Sequence, residues 1–360
     1  MRLQSSSFKL LASRFLLLLG ALLAFGSPAL PAEPPHARVL LYHRVGDPRY
    51  PSTNVSTEAF RAQLDWLAEN GFTVVPTEAI EGFLLRGQGL PDRAVAIHFD
   101  DGFRSVYDNA FPLLRERGLP FTVLLPTEAV DGQYPDYVTW EMVREMAGAG
   151  ASIGAHGHRH LALGTPEPGE EPPAYLQRIR EELRKGARRL ARQGFPAAWV
   201  AYPYGEYGAE VLREAREAGF TLGFSQDTGA LGRSHDPLCL PRFAVVGTLA
   251  EMPVFIERMG YLPLALEAPE PAPGALGAAD PPRFAAVVRD PGAYVPDSLS
   301  LFVSELGRWE AHFDPASGRV VGAGGEPLTL RRNRVLVSLR HAATGRFAVG
   351  SWLLLRPESL

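Results

Sequence analysis

The chain has 360 residues, enough for about two domains of average size. Its hydrophobic fraction of 46% and charged fraction of 21% are those of an ordinary globular protein. The net charge of −4 provides no basic surface for nucleic acid and disfavours binding to an anionic membrane. Because Cys239 is the single cysteine, an intramolecular disulfide is excluded.

The N-terminus is typical of a secretory signal peptide. Arg2, Lys9 and Arg14 precede an apolar run over residues 15–25, and small residues follow it. We therefore predict a signal peptide over residues 1–32 and export to the periplasm, the extracellular space or the cell surface. The apolar run is short for a transmembrane helix, so we expect no stable membrane span after cleavage. An uncleaved N-terminal anchor is the alternative.

Strand-like and helical segments alternate from residue 38 to residue 262. Helical spacing of apolar residues is clear in several of the intervening segments, for example at Phe60, Leu64 and Leu67. This alternation predicts a parallel α/β sheet, either open or closed into a barrel. The predicted strands cover residues 39–42, 94–97, 121–125, 152–154, 199–202, 221–224 and 238–246.

The C-terminal part of the sequence has a different character. Residues 263–282 are rich in Pro, Ala and Gly and lack a periodic pattern, which predicts a linker that few contacts cross. Beyond it, short β-like runs are separated by turn signals such as Ser317-Gly318. They predict a small all-β, immunoglobulin-like sandwich domain over residues 283–360.

Two acidic residues, Asp100 and Asp101, follow the predicted strand 94–97 within the segment HFDDG. Catalytic groups gather at the carboxyl ends of parallel strands, and one carboxylate can bind a cation while its neighbour faces a water. A pair of helix N-caps is the alternative, and it is the better explanation for an isolated Asp-Asp-Gly.

A histidine cluster, HGHRH, follows the predicted strand 152–154. His156 and His160 are four residues apart, so a tight loop or one helical turn can direct both imidazoles at one cation. Two histidines and one carboxylate leave positions open for water, which is the arrangement of a catalytic metal site. A solvated polar loop is the alternative.

The segment Pro203-Tyr204-Gly205 comes after the predicted strand 199–202. Proline fixes the backbone and glycine permits close approach, so such a turn can direct the amide of Tyr204 at a developing oxyanion. An ordinary surface turn has the same composition.

Taken in this order and at these spacings, the three motifs resemble those of the polysaccharide deacetylases of carbohydrate esterase family four, the NodB-homology domains. The resemblance covers residues 38–262 and implies a distorted (β/α) barrel of about seven strands. It also implies that Asp100 is the general base and that a divalent metal, for which zinc is favoured, is held by Asp101, His156 and His160.

The opening segment LYHRV, residues 41–45, is similar to the branch that deacetylates poly-β-1,6-N-acetylglucosamine in biofilm matrices. The resemblance therefore implies metal-dependent removal of N-acetyl groups from an N-acetylglucosamine polysaccharide. A deacetylase of peptidoglycan or chitin is one alternative, and a catalytically inactive carbohydrate-binding protein on the same fold is another.

The sequence departs from the family pattern at two places. Ala201 stands where the family has an arginine that orients the base, and Arg242 is the candidate replacement. The family's late Leu-x-x-His motif, which supplies a general acid, has no clean match, so His43 and His235 are the remaining histidines for that role. For His43, a hydrogen-bonded core histidine is an equally good interpretation. We expect His158, between the two ligands, to face elsewhere.

Overall fold

Buried apolar strands form the centre of the first half of the molecule. The computed structural model describes residues 33–276, 283–323 and 327–357, so the predicted signal peptide lies outside the described residues. All six residues of the strand Ala94–Phe99 are buried, as expected for a parallel strand that is covered on both faces. Among the described residues, no helix is long and apolar enough to cross a membrane.

Eleven strands belong to this half. In chain order they are β1 His36–Tyr42, β2 Arg44–Val45, β3 Asn54–Val55, β4 Thr73–Val74, β5 Ala94–Phe99, β6 Phe121–Leu125, β7 Ala151–Ala155, β8 Trp199–Ala201, β9 Leu222–Phe224, β10 Leu231–Gly232 and β11 Phe243–Ala244. The main sheet has the order β10-β1-β5-β6-β7-β8-β9, with β11 beside β1 and β4 beside β5. All of its pairs are parallel except that between β1 and β10. This curled seven-strand path confirms the predicted distorted barrel.

Helices cover the sheet. They are α1 Thr57–Glu69, α2 Thr77–Leu85, α3 Phe111–Glu116, α4 Thr127–Asp131, α5 Trp140–Gly148, α6 Pro172–Arg192, α7 Ala209–Glu217 and α8 Met252–Met259. Helix α1 shows how the sequence determines where a helix begins and which of its faces is buried. The Ser56 hydroxyl accepts a hydrogen bond from the Ala59 amide at the N-terminus, and Phe60, Leu64 and Leu67 are buried on one face as predicted.

Two facing antiparallel-rich sheets form the C-terminal half. Their strands are β12 Leu262–Pro263, β13 Leu266–Glu270, β14 Gly274–Ala275, β15 Arg283–Val288, β16 Tyr294–Val303, β17 Gly307–Trp309, β18 Ala311–Asp314, β19 Arg319–Ala323, β20 Arg332–His341 and β21 Phe347–Leu355. One sheet has the order β12-β21-β20-β16-β17 with β14 also on β21, and the other has the order β13-β15-β19-β18. Both contribute to one buried cluster, which confirms the predicted sandwich.

The predicted linker over residues 263–282 is wrong for the part that the structure describes. Strand β13 pairs with β15, and β14 pairs with β21. Each of the two strands is paired on one side only, so a proline there removes no hydrogen bond that the ladder needs. The Pro- and Gly-rich composition therefore reflects edge strands.

The expectation of few contacts across this segment is also wrong, because the two halves share a core. Leu353 and Leu355 of β21 belong to the same buried cluster as Leu163 and Tyr207 of the barrel. A Cβ atom added to Gly164 would lie 2.1 Å from Leu355 Cδ1, so the backbone of the barrel approaches this side chain closely. Residues Pro35–Leu360 accordingly form one compact unit.

Candidate active site

Every predicted site residue lies at the carboxyl-end edge of the parallel sheet or beside it. Asp100 and Asp101 follow β5, the histidine cluster follows β7, and the turn Pro203–Gly205 follows β8. His43 follows β1, and Arg242 immediately precedes β11. Because parallel neighbours end at the same edge, segments far apart in sequence meet there.

Asp101, His156 and His160 form a cluster that can hold a metal ion. One ligand atom from each lies within 4.8 Å of the other two. Asp101 Oδ1 is 3.3 Å from His156 Nε2 and 3.0 Å from His160 Nε2. The imidazole of His156 is buried, whereas the side chains of Asp101 and His160 are partly accessible. Solvent therefore reaches the cluster through Asp101 and His160.

The donor atoms of this cluster fit a divalent cation. His156 Nδ1 lies 2.8 Å from the carbonyl oxygen of Ala201, and donation to that carbonyl leaves the Nε2 lone pair directed at the cluster. Asp101 Oδ1 is buried and has no hydrogen-bond partner of good geometry in the described part of the chain. Two imidazole nitrogens and one carboxylate oxygen are a ligand set that zinc accepts, with room for a further ligand.

The backbone at the site is in an uncommon conformation. Asp101, His160 and Tyr204 have φ angles of 70°, 62° and 60°, in the left-handed region that residues with a Cβ rarely adopt. Such conformations persist where the surroundings hold them, and they concentrate at functional sites. In this chain, each of the three motifs has one residue other than glycine in this conformation.

Glu182 of α6 holds the histidine loop and accounts for the glycine at position 157. Its buried carboxylate accepts hydrogen bonds from the amides of His158 and Arg159, at 2.9 and 2.5 Å. A Cβ atom on Gly157 would lie 2.9 Å from Glu182 Oε1, at a φ of 74°, so glycine is the residue that fits here. The sequence analysis missed Glu182. The feature of the sequence that could have indicated it is an acidic residue on the apolar face of α6, beside Ile179 and Leu183.

Asp100 is clamped by Arg242, and both side chains are fully buried. Arg242 Nη1 donates to Oδ1 and Nη2 to Oδ2, each at 2.7 Å, while its Nε donates to the Ser225 carbonyl at 2.8 Å. Burial alone would raise the pKa of Asp100. Arg242, with smaller contributions from His156 and His43, outweighs burial and lowers that pKa, so the carboxylate stays ionised. Asp100 Oδ2 is also 3.9 Å from His156 Nε2, which places this carboxylate beside the metal cluster.

The charges of the metal cluster and of Asp100 affect the pKa of His43. Burial lowers the pKa of His43, and the carboxylates of Asp101 and Asp100 oppose that effect without cancelling it. Its Nδ1 is buried and has no hydrogen-bond partner among residues 33–276, 283–323 and 327–357. This is unusual for a core histidine, because buried polar atoms are normally paired.

Two other histidines are not brought into the cluster. His158 Nδ1 lies 2.9 Å from the hydroxyl of Thr127, so its ring faces away from His156 and His160. His235 Nδ1 accepts from the amide of Gly232 at 3.1 Å. It lines a separate cavity of about 420 Å³ between the barrel and the C-terminal sheets.

Comparison with known proteins gives a consistent result. Residues 87–223 match the family model described as polysaccharide deacetylase. YxkH of Bacillus subtilis (strain 168), provisionally named a polysaccharide deacetylase, is 27% identical over 216 residues, which are 59% of this chain and 72% of that protein. The poly-β-1,6-N-acetyl-D-glucosamine N-deacetylase of Escherichia coli (strain K12) is 28% identical over 218 residues, which are 50% of this chain and 32% of that protein.

A solved structure, that of IcaB from Ammonifex degensii, is similar in fold. It superposes with a TM-score of 0.55 at 27% sequence identity, covering 63% of this chain and 98% of that chain. The chain thus matches nearly all of this structure but only about a third of the length of the E. coli enzyme.

Proposed function

We propose that this chain, which carries a polysaccharide deacetylase domain, is an exported, metal-dependent hydrolase that removes N-acetyl groups from poly-β-1,6-N-acetylglucosamine or a closely related exopolysaccharide. The observation that carries the proposal is the Asp101, His156 and His160 cluster beside a buried, ionised Asp100. An inactive binding protein has no need to keep both a complete ligand set and a clamped carboxylate.

The three-residue cluster would hold the cation, and zinc suits its donor set. A bound divalent cation would supply Lewis acidity toward water and toward the acetamide carbonyl. Because the three ligands come from two rigid strand ends, little rearrangement is needed to form the site.

Asp100 would accept the proton of the attacking water as the new C–O bond forms. The bidentate Arg242 contact fixes the carboxylate in one orientation and keeps it ionised, yet each oxygen retains a lone pair for the water. Arg242 would thus serve as the orienting arginine that the sequence lacks at Ala201.

The amide of Tyr204 would donate a hydrogen bond to the oxyanion that develops on the acetamide oxygen. His43 in its protonated form would give its proton to the departing nitrogen as the C–N bond breaks, because an amide anion is too basic to leave. Acetate and a free glucosamine unit are the products.

The choice of polysaccharide is supported by the names of the similar proteins. The E. coli relative is named for poly-β-1,6-N-acetyl-D-glucosamine. The predicted signal peptide over residues 1–32 agrees with a substrate outside the cytoplasm.

Metal analysis and acetate release test the proposal together. We expect about one zinc per chain and acetate release from poly-β-1,6-N-acetylglucosamine that exceeds release from chitin oligosaccharides and peptidoglycan. Replacing His156 or His160 by Ala should remove metal and activity and leave the fold nearly intact. The matched control is His158→Ala, in the same loop but outside the cluster.

Two results would reject parts of this proposal. Full metal content and full activity in His156→Ala or His160→Ala would show that the replaced histidine is not a metal ligand. Preference for chitin oligosaccharides or peptidoglycan in the wild-type protein would leave the chemistry in place and change the substrate.

A further inference from the structure

Strand β20 of the C-terminal sandwich begins beside the catalytic turn. Its first residue, Arg332, donates from Nε to Glu206 Oε1 at 2.8 Å. Arg331 donates from Nη2 to Glu206 Oε2 at 3.2 Å. Glu206 is fully buried, so its charge depends on these two cations from the other half of the molecule.

The same guanidinium also contacts the other end of the turn. Arg332 Cζ lies 4.6 Å from the centre of the Tyr204 ring, in the position of a cation–π contact. The Tyr204 ring also contacts the imidazole of His160, with ring centres 4.6 Å apart. Tyr204 is 41% exposed, so its ring lies at the surface beside the metal cluster.

We propose that Arg332 is a positioning residue for the deacetylation reaction, supplied to the active site by the C-terminal sandwich. By holding Glu206 and the Tyr204 ring together, it keeps the turn in the left-handed conformation that directs the Tyr204 amide. The inference rests on the proposed function, because it assigns a partner to the oxyanion donor of that mechanism.

The chemistry predicts which kinetic constant depends on Arg332. The oxyanion exists only in the transition state, so a misdirected Tyr204 amide lowers kcat and leaves KM nearly unchanged. Zinc binding should be little affected, because His156 is anchored by the Ala201 carbonyl and the histidine loop by Glu182. Removing Arg332 should lower the melting temperature in either case, because buried Glu206 loses a charged partner. A residue with a purely structural role would instead change the zinc affinity and KM together with kcat.

The test uses the full chain with three variants. Arg332→Ala should lower kcat for acetate release about tenfold, less than the loss of a whole oxyanion donor, with KM within about twofold. Arg332→Lys should recover most of kcat, since an ammonium can still pair with Glu206 and lie on the Tyr204 ring. Arg340→Ala is the matched control, because Arg340 lies on the same strand as Arg332 and makes a cation–π contact with Phe347 of β21, 5.3 Å from the ring centre. We expect wild-type kinetics for it.

Each variant is assayed on the polysaccharide and on a small acetyl ester, which needs the oxyanion turn but no recognition of a glycan. Zinc affinity is measured by chelator competition, and the melting temperature is recorded. If Arg332→Ala does not fold, Arg332→Gln replaces it in the comparison with Arg332→Lys.

Three results would overturn the proposal. One is wild-type kcat in Arg332→Ala, or in Arg332→Gln if that variant replaces it. Another is a loss of kcat matched by a loss of zinc affinity or by a rise in KM, which would make the role structural. Both leave the proposed function intact. Only a wild-type protein inactive on glycans and ester alike would remove the proposed function, and the inference with it.

Discussion

The barrel and the C-terminal sandwich reach the same active site by different means. In the barrel, the reactive groups stand in short motifs directly after strands, as with Asp100 and Asp101 after β5. In the sandwich, Arg332 stands in the segment RRNR at the start of β20, which has the composition of an ordinary solvated charge run. The first contribution could be recognised in the sequence and the second could not.

The difference has a physical origin. A metal ligand or a general base must be one of a few residue types at a fixed spacing, and that requirement leaves a motif. Docking one half on another needs only complementary shape and charge, which many sequences provide. Two buried barrel carboxylates, Glu206 and Asp227, face the β20 arginines Arg332 and Arg334, at 2.8 and 3.8 Å. Without the sandwich, these two buried carboxylates would lose their arginine partners.

The largest expected effect comes from separating the two halves. A chain that ends at Leu266 loses Leu353 and Leu355 from the shared core and leaves Glu206 buried without its cations. Truncating one buried Leu already costs about 2–5 kcal/mol, so losing both costs about 4–10 kcal/mol, which is comparable with the whole free energy of unfolding of an ordinary domain. The unpaired charge of buried Glu206 adds to this loss. We expect an insoluble or unfolded product, measured by soluble yield and circular dichroism against the full chain. A soluble, active product that unfolds cooperatively would show that the halves are independent.

Within the barrel, the two adjacent acids should fail differently. Asp100→Asn should keep bound metal and lose turnover by about 10²–10⁴-fold, because an amide cannot accept the proton. Asp101→Asn should lose metal affinity first, and high added metal should partly restore activity, since the amide oxygen remains a weak ligand. The measurement is metal occupancy and acetate release for both variants across a metal titration. Rescue of Asp100→Asn by metal would reverse the two assignments.

Sequence reasoning reached the barrel, the sandwich and the motif residues, and it reached Arg242 by asking what could replace an arginine at Ala201. It misjudged residues 263–282, because edge strands tolerate the Pro and Gly content that a linker also has. It missed Glu182 and Arg332, whose roles depend on what they contact across the fold. His43 kept two interpretations, since a buried histidine and an active-site histidine look alike in a sequence.

His43 can be assigned by changing the leaving group. An amide nitrogen must be protonated as it departs, whereas the phenolate of an activated acetyl ester leaves unaided. His43→Asn should therefore lower amide hydrolysis by about 10²-fold, within the usual range for a positioned acid, and leave ester hydrolysis within about threefold. Parallel assays on an N-acetylated oligosaccharide and a nitrophenyl acetate measure this ratio. Equal losses on both substrates would make His43 a structural residue or a contributor to metal binding.

The smallest expected effect concerns Asp227, at the boundary of the two halves. Burial raises the pKa of Asp227 to about 6, and the opposing effects of Arg334, Tyr207 and Ser225 only partly offset it. Tyr207 donates to Oδ2 at 2.5 Å and Ser225 at 3.1 Å, while Oδ1 is buried without a hydrogen-bond partner in the described ranges. The buried thiol of Cys239 is a further titratable neighbour.

A folded-state pKa above the unfolded value means that the folded protein holds this proton more tightly than the unfolded chain. The stabilisation is complete below the unfolded pKa of 3.8 and is lost as pH rises through about 6. As the pH rises from 4 to 7, ionisation of Asp227 should lower the free energy of unfolding by about 2 kcal/mol. Asp227→Asn should lack this slope, because an amide does not titrate. Asp236→Asn, in the next loop after β10 and half-exposed, should keep it. Denaturant unfolding at several pH values measures the difference. If wild type and Asp227→Asn run parallel, the arginine from the sandwich neutralises Asp227 fully, and the boundary between the halves carries no uncompensated charge.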